Sequence, residues 1–223
     1  NFNISLSETT DAGTTISTSF EIVDESTVSA DDDNAIKLTF SGGEIVELLN
    51  AGNASGTHAV SVPGASGEQG VGGTTTNNAP TGISFAAGST ALGIEWHSAE
   101  DFLADGLKVS ASYSADNEAA KTATAKLSSS WGIGATYVTT AGDTTLTIGG
   151  GIAAGSHNSS KATKDNEVYQ IGITAVTGDL TVGAGYMSGD FINQEAQVDG
   201  EFSNIGAKYV SGDMTFNVGM SSA

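Results

Sequence analysis

Hydrophobic and polar residues alternate along most of the chain with the period of two that is typical of β-strands. The clearest example runs from residue 166 to 189, where two alternating runs flank the turn Thr177-Gly178-Asp179. One face of this unit is apolar and carries tyrosine at its outer end, whereas the other carries small and polar residues. Such runs on both sides of a Gly-Asp turn predict a β-hairpin. The rest of the chain repeats this unit, which predicts about 12 strands.

The connections between the predicted strands alternate between short turns and longer polar loops. Short turns are predicted near residue 11 and at 42–43, 141–143, 177–179 and 211–213. Longer loops are predicted at 24–33, 50–81, 116–121, 157–165 and 189–200. The connection at 98–106 is longer than this alternation predicts, and it favours a short helical turn or an irregular segment. Short turns at one end and long loops at the other are typical of outer-membrane β-barrels.

Composition supports a protein with a wet interior. The chain has 223 residues, enough for one large β domain, and its hydrophobic fraction is 38%. Globular domains usually contain about 45–50% apolar residues. Disorder would explain the difference, but the regular alternation argues against it. A closed barrel explains it better, because every second residue of a barrel strand can face water. We therefore predict an all-β, transmembrane, antiparallel up-and-down barrel that spans residues 1–223.

Charge and residue types exclude several classes of protein. The chain has 26 acidic residues, seven lysines and no arginine, so a nucleic-acid partner is not expected. It also lacks cysteine, and no apolar run approaches the ~20 residues of a membrane-spanning helix. The sequence opens at Asn1 inside an alternating run and ends in or just after another. We therefore expect an internal fragment that is incomplete at both ends.

The two faces of the predicted sheet differ in a way that favours lipid on the apolar side. All five tyrosines lie on the apolar face, three near the long-loop ends (Tyr113, Tyr169 and Tyr186) and two near the short-turn ends (Tyr137 and Tyr209). This distribution predicts two aromatic girdles at the membrane interfaces. Four lysines lie on the opposite face, namely Lys37, Lys108, Lys126 and Lys208. A lysine is costly against lipid but not against a water-filled pore. The Ser, Thr and Gly residues of that face predict a wide pore.

Two other architectures compete with this interpretation. The first is a secreted or cell-surface β-sandwich adhesin, in which the apolar face packs against a second sheet. A sandwich explains the position of the lysines on the polar face equally well, but it explains the distribution of the tyrosines less well. The second is an outer-membrane barrel enzyme such as a phospholipase. It needs a Ser–His pair at a lipid-facing edge, and no histidine falls clearly on that face.

Candidate chemistry is sparse, and no catalytic site is predicted. The three histidines are far apart in sequence, although His97 shares a strand face with Glu95. That pair could line a pore, but a plain solvated pair is the favoured interpretation. The acidic stretches at 24–25 and 31–33 carry the oxygen ligands that Ca²⁺ prefers. A solvated acidic loop is again favoured, so we expect no cofactor.

Four segments carry a resemblance to a known family. They are F-N-I-S-L-S-E-T-T-D-A-G-T-T-I-S-T-S-F at 2–20, I-K-L-T-F-S-G-G-E-I at 36–45, G-L-K-V-S-A-S-Y-S at 106–114 and T-G-D-L-T-V-G-A-G-Y at 177–186. On these segments the chain resembles the general porins of alphaproteobacteria, the Rhodobacter-type family of 16-stranded trimers. The first strand and about three final strands of that family would then be missing.

The resemblance implies a function and a set of site residues. It implies passive diffusion of small hydrophilic solutes through the outer membrane, by a homotrimer in contact with the lipid bilayer and lipopolysaccharide. Residues 50–81 would be the loop that constricts the pore, with His58 and Glu68 on it. Family constrictions set loop acids against wall arginines, whereas this chain has no arginine and only Glu68 as an acid between residues 51 and 80. The pore-lining candidates are Lys37, Glu95, His97, Lys108, Lys126 and Lys208. Acidic loops at the mouth predict a weak preference for cations.

Overall fold

The computed structural model describes residues 2–22, 36–48, 54–64, 67–70, 92–122, 125–157, 166–193 and 196–222. Twelve strands form one antiparallel sheet in which spatial order follows chain order. They are β1 (Phe2–Thr9), β2 (Thr15–Ile22), β3 (Ile36–Thr39), β4 (Ile45–Leu48), β7 (Leu92–His97), β8 (Leu107–Thr122), β9 (Ala125–Ala141), β10 (Thr144–His157), β11 (Asn166–Thr177), β12 (Leu180–Asn193), β13 (Ala196–Ser211) and β14 (Met214–Ser222). Between β4 and β7 lie the helical turn α1 (Ala54–Thr57) and a separate strand pair, β5 (Ser61–Gly64) and β6 (Gly67–Gly70). The predicted up-and-down order of about 12 strands is confirmed.

Short turns join the strands at one end of the sheet. Each of the two-residue turns between β9 and β10, β11 and β12, and β13 and β14 has the sequence Gly-Asp. Their glycines, Gly142, Gly178 and Gly212, have φ angles of 62°, 55° and 58°. This left-handed conformation is favourable for glycine and matches the twist of a tight hairpin. Because neighbouring strands are antiparallel, the connections 10–14, 40–44 and 98–106 lie at the same end.

The connection between β7 and β8 is irregular rather than helical. Asp101 and Leu103 both have left-handed φ angles, 59° and 63°. The Asp101 carboxylate accepts a 2.6 Å hydrogen bond from the backbone N–H of Gly106, which closes the connection. The rings of Trp96 and Phe102 meet edge to face, with centroids 5.6 Å apart. These contacts hold the longer connection in a fixed conformation.

Two of the predicted long loops are wrong. Residues 116–121 belong to β8, and the predicted loop at 189–200 is mostly strand, since β12 ends at Asn193 and β13 begins at Ala196. In this second hairpin the backbone pairing continues through Asp190 and Asp199. Polar residues satisfy their backbone groups in a ladder as apolar ones do, so pairing outlasts the hydrophobic alternation. The predicted loop at 24–33 lies outside the described residues, as does that at 157–165 except for His157, the last residue of β10.

The two faces of the sheet have different surroundings. Large apolar side chains of one face, here called the outer face, are exposed; they include Tyr113, Ile133, Ile171, Ile205, Phe216, Val218 and Met220. The opposite, inner face is covered by residues 54–64 over β8 to β14. The few buried apolar side chains of the described chain include Val60 and Val62 of that segment and Ala153 and Phe202 of the inner face. The side of the sheet that a sandwich would bury is therefore the exposed one. No helix in the described ranges is both long and apolar enough to cross a membrane.

Candidate functional site

Residues 54–64, here called the inner segment, lie flat on the inner face. Helix α1 contacts β8, β9 and β10, and β5 contacts β11, β12, β13 and β14. The segment thus crosses seven neighbouring strands. The sequence predicts a long loop at 50–81, whereas the structure has a helical turn here, followed by a strand that pairs with β6.

Glycines form the surface on which the inner segment lies. This glycine strip consists of Gly132, Gly134, Gly149, Gly151, Gly172, Gly183, Gly206 and Gly219. A Cβ atom on Gly149 would stand 2.5 Å from the carbonyl oxygen of His58, and one on Gly172 would stand 2.8 Å from Val60 Cβ. Real Cβ atoms do not approach other atoms so closely. The glycines, which predicted a wide pore, instead admit the backbone of the inner segment.

Hydrogen bonds fix the start of α1 to the sheet. The backbone N–H of Ala54 donates to Ser112 Oγ at 3.1 Å. Gln170 Nε2 donates to the carbonyl oxygen of Ser55 at 2.6 Å. Ala54 and Ser55 are both buried. The side chains of β8 and β11 therefore pair with backbone groups that lie away from water.

His58 joins the inner segment to two strands. Its Nδ1 shares a 2.7 Å hydrogen bond with Thr136 Oγ1, and its Nε2 shares one of 2.8 Å with Ser110 Oγ. His97 Nδ1 also lies 2.8 Å from Ser110 Oγ. Burial lowers the pKa of His58, and the nearby His97 and Lys108 lower it further. The ring is therefore neutral at pH 7, when one of its nitrogens donates and the other accepts.

The Ser110 hydroxyl is placed for structure rather than for catalysis. Glu95, His97 and Ser110 follow each other as acid, imidazole and hydroxyl, with Glu95 Oε1 3.7 Å from His97 Nε2. Ser110, however, is only 2% exposed and shares hydrogen bonds with both His58 and His97. No substrate can reach such a hydroxyl without displacing the inner segment.

Beside this network lies a row of charged side chains. The cross-strand register sets Lys37 opposite Glu47 and Glu47 opposite Glu95, all on the inner face. Lys37 Nζ is 3.7 Å from Glu47 Oε1. Thr57 Oγ1 of the inner segment donates to Glu95 Oε1 at 3.4 Å. The structure thus brings together three of the candidates, Lys37, Glu95 and His97, and adds Glu47.

The remaining candidates are scattered. Lys108 lies on the inner face but forms a 2.6 Å salt bridge with Glu100 in the β7–β8 connection. Lys208 is half-buried on the inner face of β13, away from the first cluster, and makes no salt bridge within the described residues. The side chains of Lys126 and Glu68 lie outside the described part of the chain, as do the acidic stretches at 24–25 and 31–33.

The five tyrosines (Tyr113, Tyr137, Tyr169, Tyr186 and Tyr209) lie on the outer face with their side chains exposed. Tyr113 is directly opposite Trp131, and Tyr209 is directly opposite Phe216. These aromatic pairs stand towards opposite ends of the strands.

Sequence reasoning missed the residues that hold the inner segment. Ser110 and Thr136 stand on the polar face of predicted strands, so their direction could be read from the alternation. Their contact with His58 could not, because the segment that carries His58 has no periodic pattern. The glycines had the clearest signal, since they recur on one face of six consecutive strands, β9 to β14.

Comparison with known proteins identifies the family of this chain. A family model described as Gram-negative porin matches residues 1–223. The chain belongs to the Gram-negative porin family. A solved porin structure, refined at 1.8 Å resolution, is similar in fold: the TM-score is 0.59 at 17% identity, over 98% of this chain and 74% of that one. The comparison with curated proteins found no match.

Membership of the family confirms several predictions. This porin is a diffusion channel of the outer membrane, with the barrel fold that its sequence predicts. The expected resemblance to Rhodobacter-type porins is confirmed for family and fold. Porins are non-enzymatic channels, in agreement with the absence of a predicted catalytic site. The outer face, with its exposed apolar side chains, is therefore the face towards lipid.

Proposed function

We propose that the inner segment is the constriction of this porin and limits the size of the hydrophilic solutes that diffuse through it. The observation that carries the proposal is its position across β8 to β14, on the glycine strip of β9 to β14. A segment that lies inside a barrel reduces the open cross-section, and pore diameter is one determinant of selectivity. His58 and its hydrogen bonds would hold the segment at a fixed height against the wall.

Enlarging the pore-facing side of the inner segment should exclude larger solutes. Ser61 is exposed on β5, whereas its neighbour Val62 is fully buried against the inner face. We expect Ser61→Trp to slow the uptake of large sugars into proteoliposomes roughly twofold or more, with little effect on small ones. Ser203→Trp, on the lipid side of β13, is the matched control. Equal uptake by Ser61→Trp and the unmodified porin at every sugar size would contradict the constriction.

The pore is proposed to prefer cations weakly. The chain carries a net charge of −19, which raises the local concentration of cations at the pore mouth. Inner-face lysines oppose this effect, but Lys37 and Lys108 each lie beside a glutamate. Lys208 is the lysine left to act as a positive charge among those with described side chains.

Reversal potentials in a salt gradient across a planar bilayer measure this preference. We expect cations to be preferred by a small factor, about two- to fivefold. Lys208→Met should increase that factor, because it removes a positive charge from the pore, and Lys208→Arg should leave it unchanged. Clear anion selectivity of the unmodified porin would refute the proposal.

Two further features are proposed from the family resemblance. The porin would assemble as a homotrimer, which light scattering in detergent tests by its mass. Its five exposed tyrosines would lie at the two membrane interfaces, where an amphipathic ring is favourable. Those at the long-loop end would face lipopolysaccharide in the outer leaflet.

A further inference from the structure

Three metal-binding side chains meet on the inner face beside α1. They are Glu47 of β4 and Glu95 and His97 of β7. Each offers one ligand atom, and the three atoms lie within 4.8 Å of one another. Two ligands of one tetrahedral ion at bond lengths of ~2.0–2.1 Å stand roughly 3.3 Å apart, so small side-chain rotations would bring all three onto one ion.

The carboxylate of Glu95 is buried next to a second carboxylate. Glu95 is only 3% exposed, and it stands directly opposite Glu47 in the strand register. Like charges at directly opposed positions destabilise a sheet. Thr57 Oγ1 donates to its Oε1 over 3.4 Å, and His97 Nε2 lies 3.7 Å from the same oxygen. Charge-assisted hydrogen bonds of a satisfied carboxylate are shorter, about 2.7–2.9 Å.

The imidazole of His97 is oriented for coordination. Its Nδ1 is held by Ser110 Oγ at 2.8 Å, which turns Nε2 towards Glu95. Metal-bound histidines in proteins are oriented in the same way, by a hydrogen bond to the nitrogen that does not bind metal. The side chains of Glu47 and His97 are about one-fifth exposed, so an ion can reach the cluster from the pore.

We propose that Glu47, Glu95 and His97 bind a divalent transition-metal ion, such as Zn²⁺, on the wall of the pore. One imidazole and two carboxylates suit Zn²⁺, whereas Ca²⁺ prefers six to eight oxygen ligands. The ion joins β4 to β7 and adds positive charge beside Thr57 of the inner segment. This metal site does not depend on the proposed role of the inner segment as a constriction.

Titration calorimetry of the whole porin in detergent, freed of metal by a chelator, tests the site. We expect one Zn²⁺ per chain to bind more tightly than the remaining acidic groups bind it. Glu95→Gln and His97→Gln should each weaken that binding about tenfold or more. Glu201→Gln, an exposed acid on β13, is the control and should bind as the unmodified porin does. Unchanged Zn²⁺ binding in both site variants overturns the proposal, and so does equal competition by Ca²⁺.

A third variant tests the site without disturbing the buried groups. Lys37 is partly exposed and lies 3.7 Å from Glu47 Oε1, where it competes with the metal for that carboxylate. Lys37→Met should therefore bind Zn²⁺ severalfold more tightly. Unchanged or weaker binding in Lys37→Met contradicts the assigned ligands even if Glu95→Gln and His97→Gln fail to assemble. Zn²⁺ binding is measured apart from conductance, so its outcome is independent of the channel measurements.

Discussion

Ile173→Lys should prevent this porin from assembling in a bilayer. Ile173 lies in the middle of β11, on the outer face, and 39% of it is exposed. Its cross-strand neighbours are Ile148 and Ala184, so the site is surrounded by apolar side chains. A lysine facing lipid near the midplane of a barrel costs about 2–4 kcal/mol, which is a large part of the stability of a typical domain.

The adjacent position supplies the matched control. Thr174 follows Ile173 on the same strand but points to the inner face, so Thr174→Lys places the same charge in water. We expect Thr174→Lys to assemble, as judged by heat-modifiable migration in gels after folding into liposomes. The reverse result, with Ile173→Lys folded and Thr174→Lys unfolded, would mean that the two faces of the sheet are assigned the wrong way round.

Gly206→Val should release the inner segment from the wall. A Cβ atom at Gly206 would overlap the carbonyl oxygen of Pro63, so the valine side chain and β5 cannot occupy their positions together. Overpacking of this kind typically costs about 1–3 kcal/mol. Since β6 is the one described strand that pairs with β5, and β5 lies on the large sheet through packing, the segment is the part expected to move.

Hydrogen exchange followed by mass spectrometry measures the release. Amides of the inner segment should exchange faster in Gly206→Val, roughly tenfold for about each 1.4 kcal/mol lost from docking. Ala207→Val is the control, because residue 207 points to lipid from the same strand. Where Gly206→Val does not assemble, His58→Phe tests the same contact by removing the hydrogen bonds to Ser110 and Thr136. Protection of the segment in both variants would contradict its attachment through these groups.

Much of the fold could be predicted because the strands of a membrane barrel alternate between apolar residues that face lipid and polar residues that face the pore. Alternation specified the strands, their order and the face of each side chain, as the exposed Ile173 and the inward Lys208 illustrate. Strand ends could not be predicted so well. Beyond the lipid the outer face no longer needs apolar residues, yet pairing continues, as between Asp190 and Asp199.

The site was predictable only in part, for a different reason. Glu95 and His97 share a face of one strand, so their proximity follows from period two alone. Glu47 joins them through the register between β4 and β7, which are separated in sequence by more than 40 residues with no regular pattern. His58 meets Ser110 and Thr136 because the inner segment folds back onto the sheet, a contact that no local pattern encodes.

The glycine strip also constrains the order in which this porin is built. Its members come from six strands, β9 to β14, and they form a continuous surface only after those strands have paired. The inner segment precedes all six strands in the chain and is synthesised before its binding surface exists. Its docking is therefore a late event in assembly. The barrel should pass through an intermediate whose pore is wider because the inner segment has not yet docked.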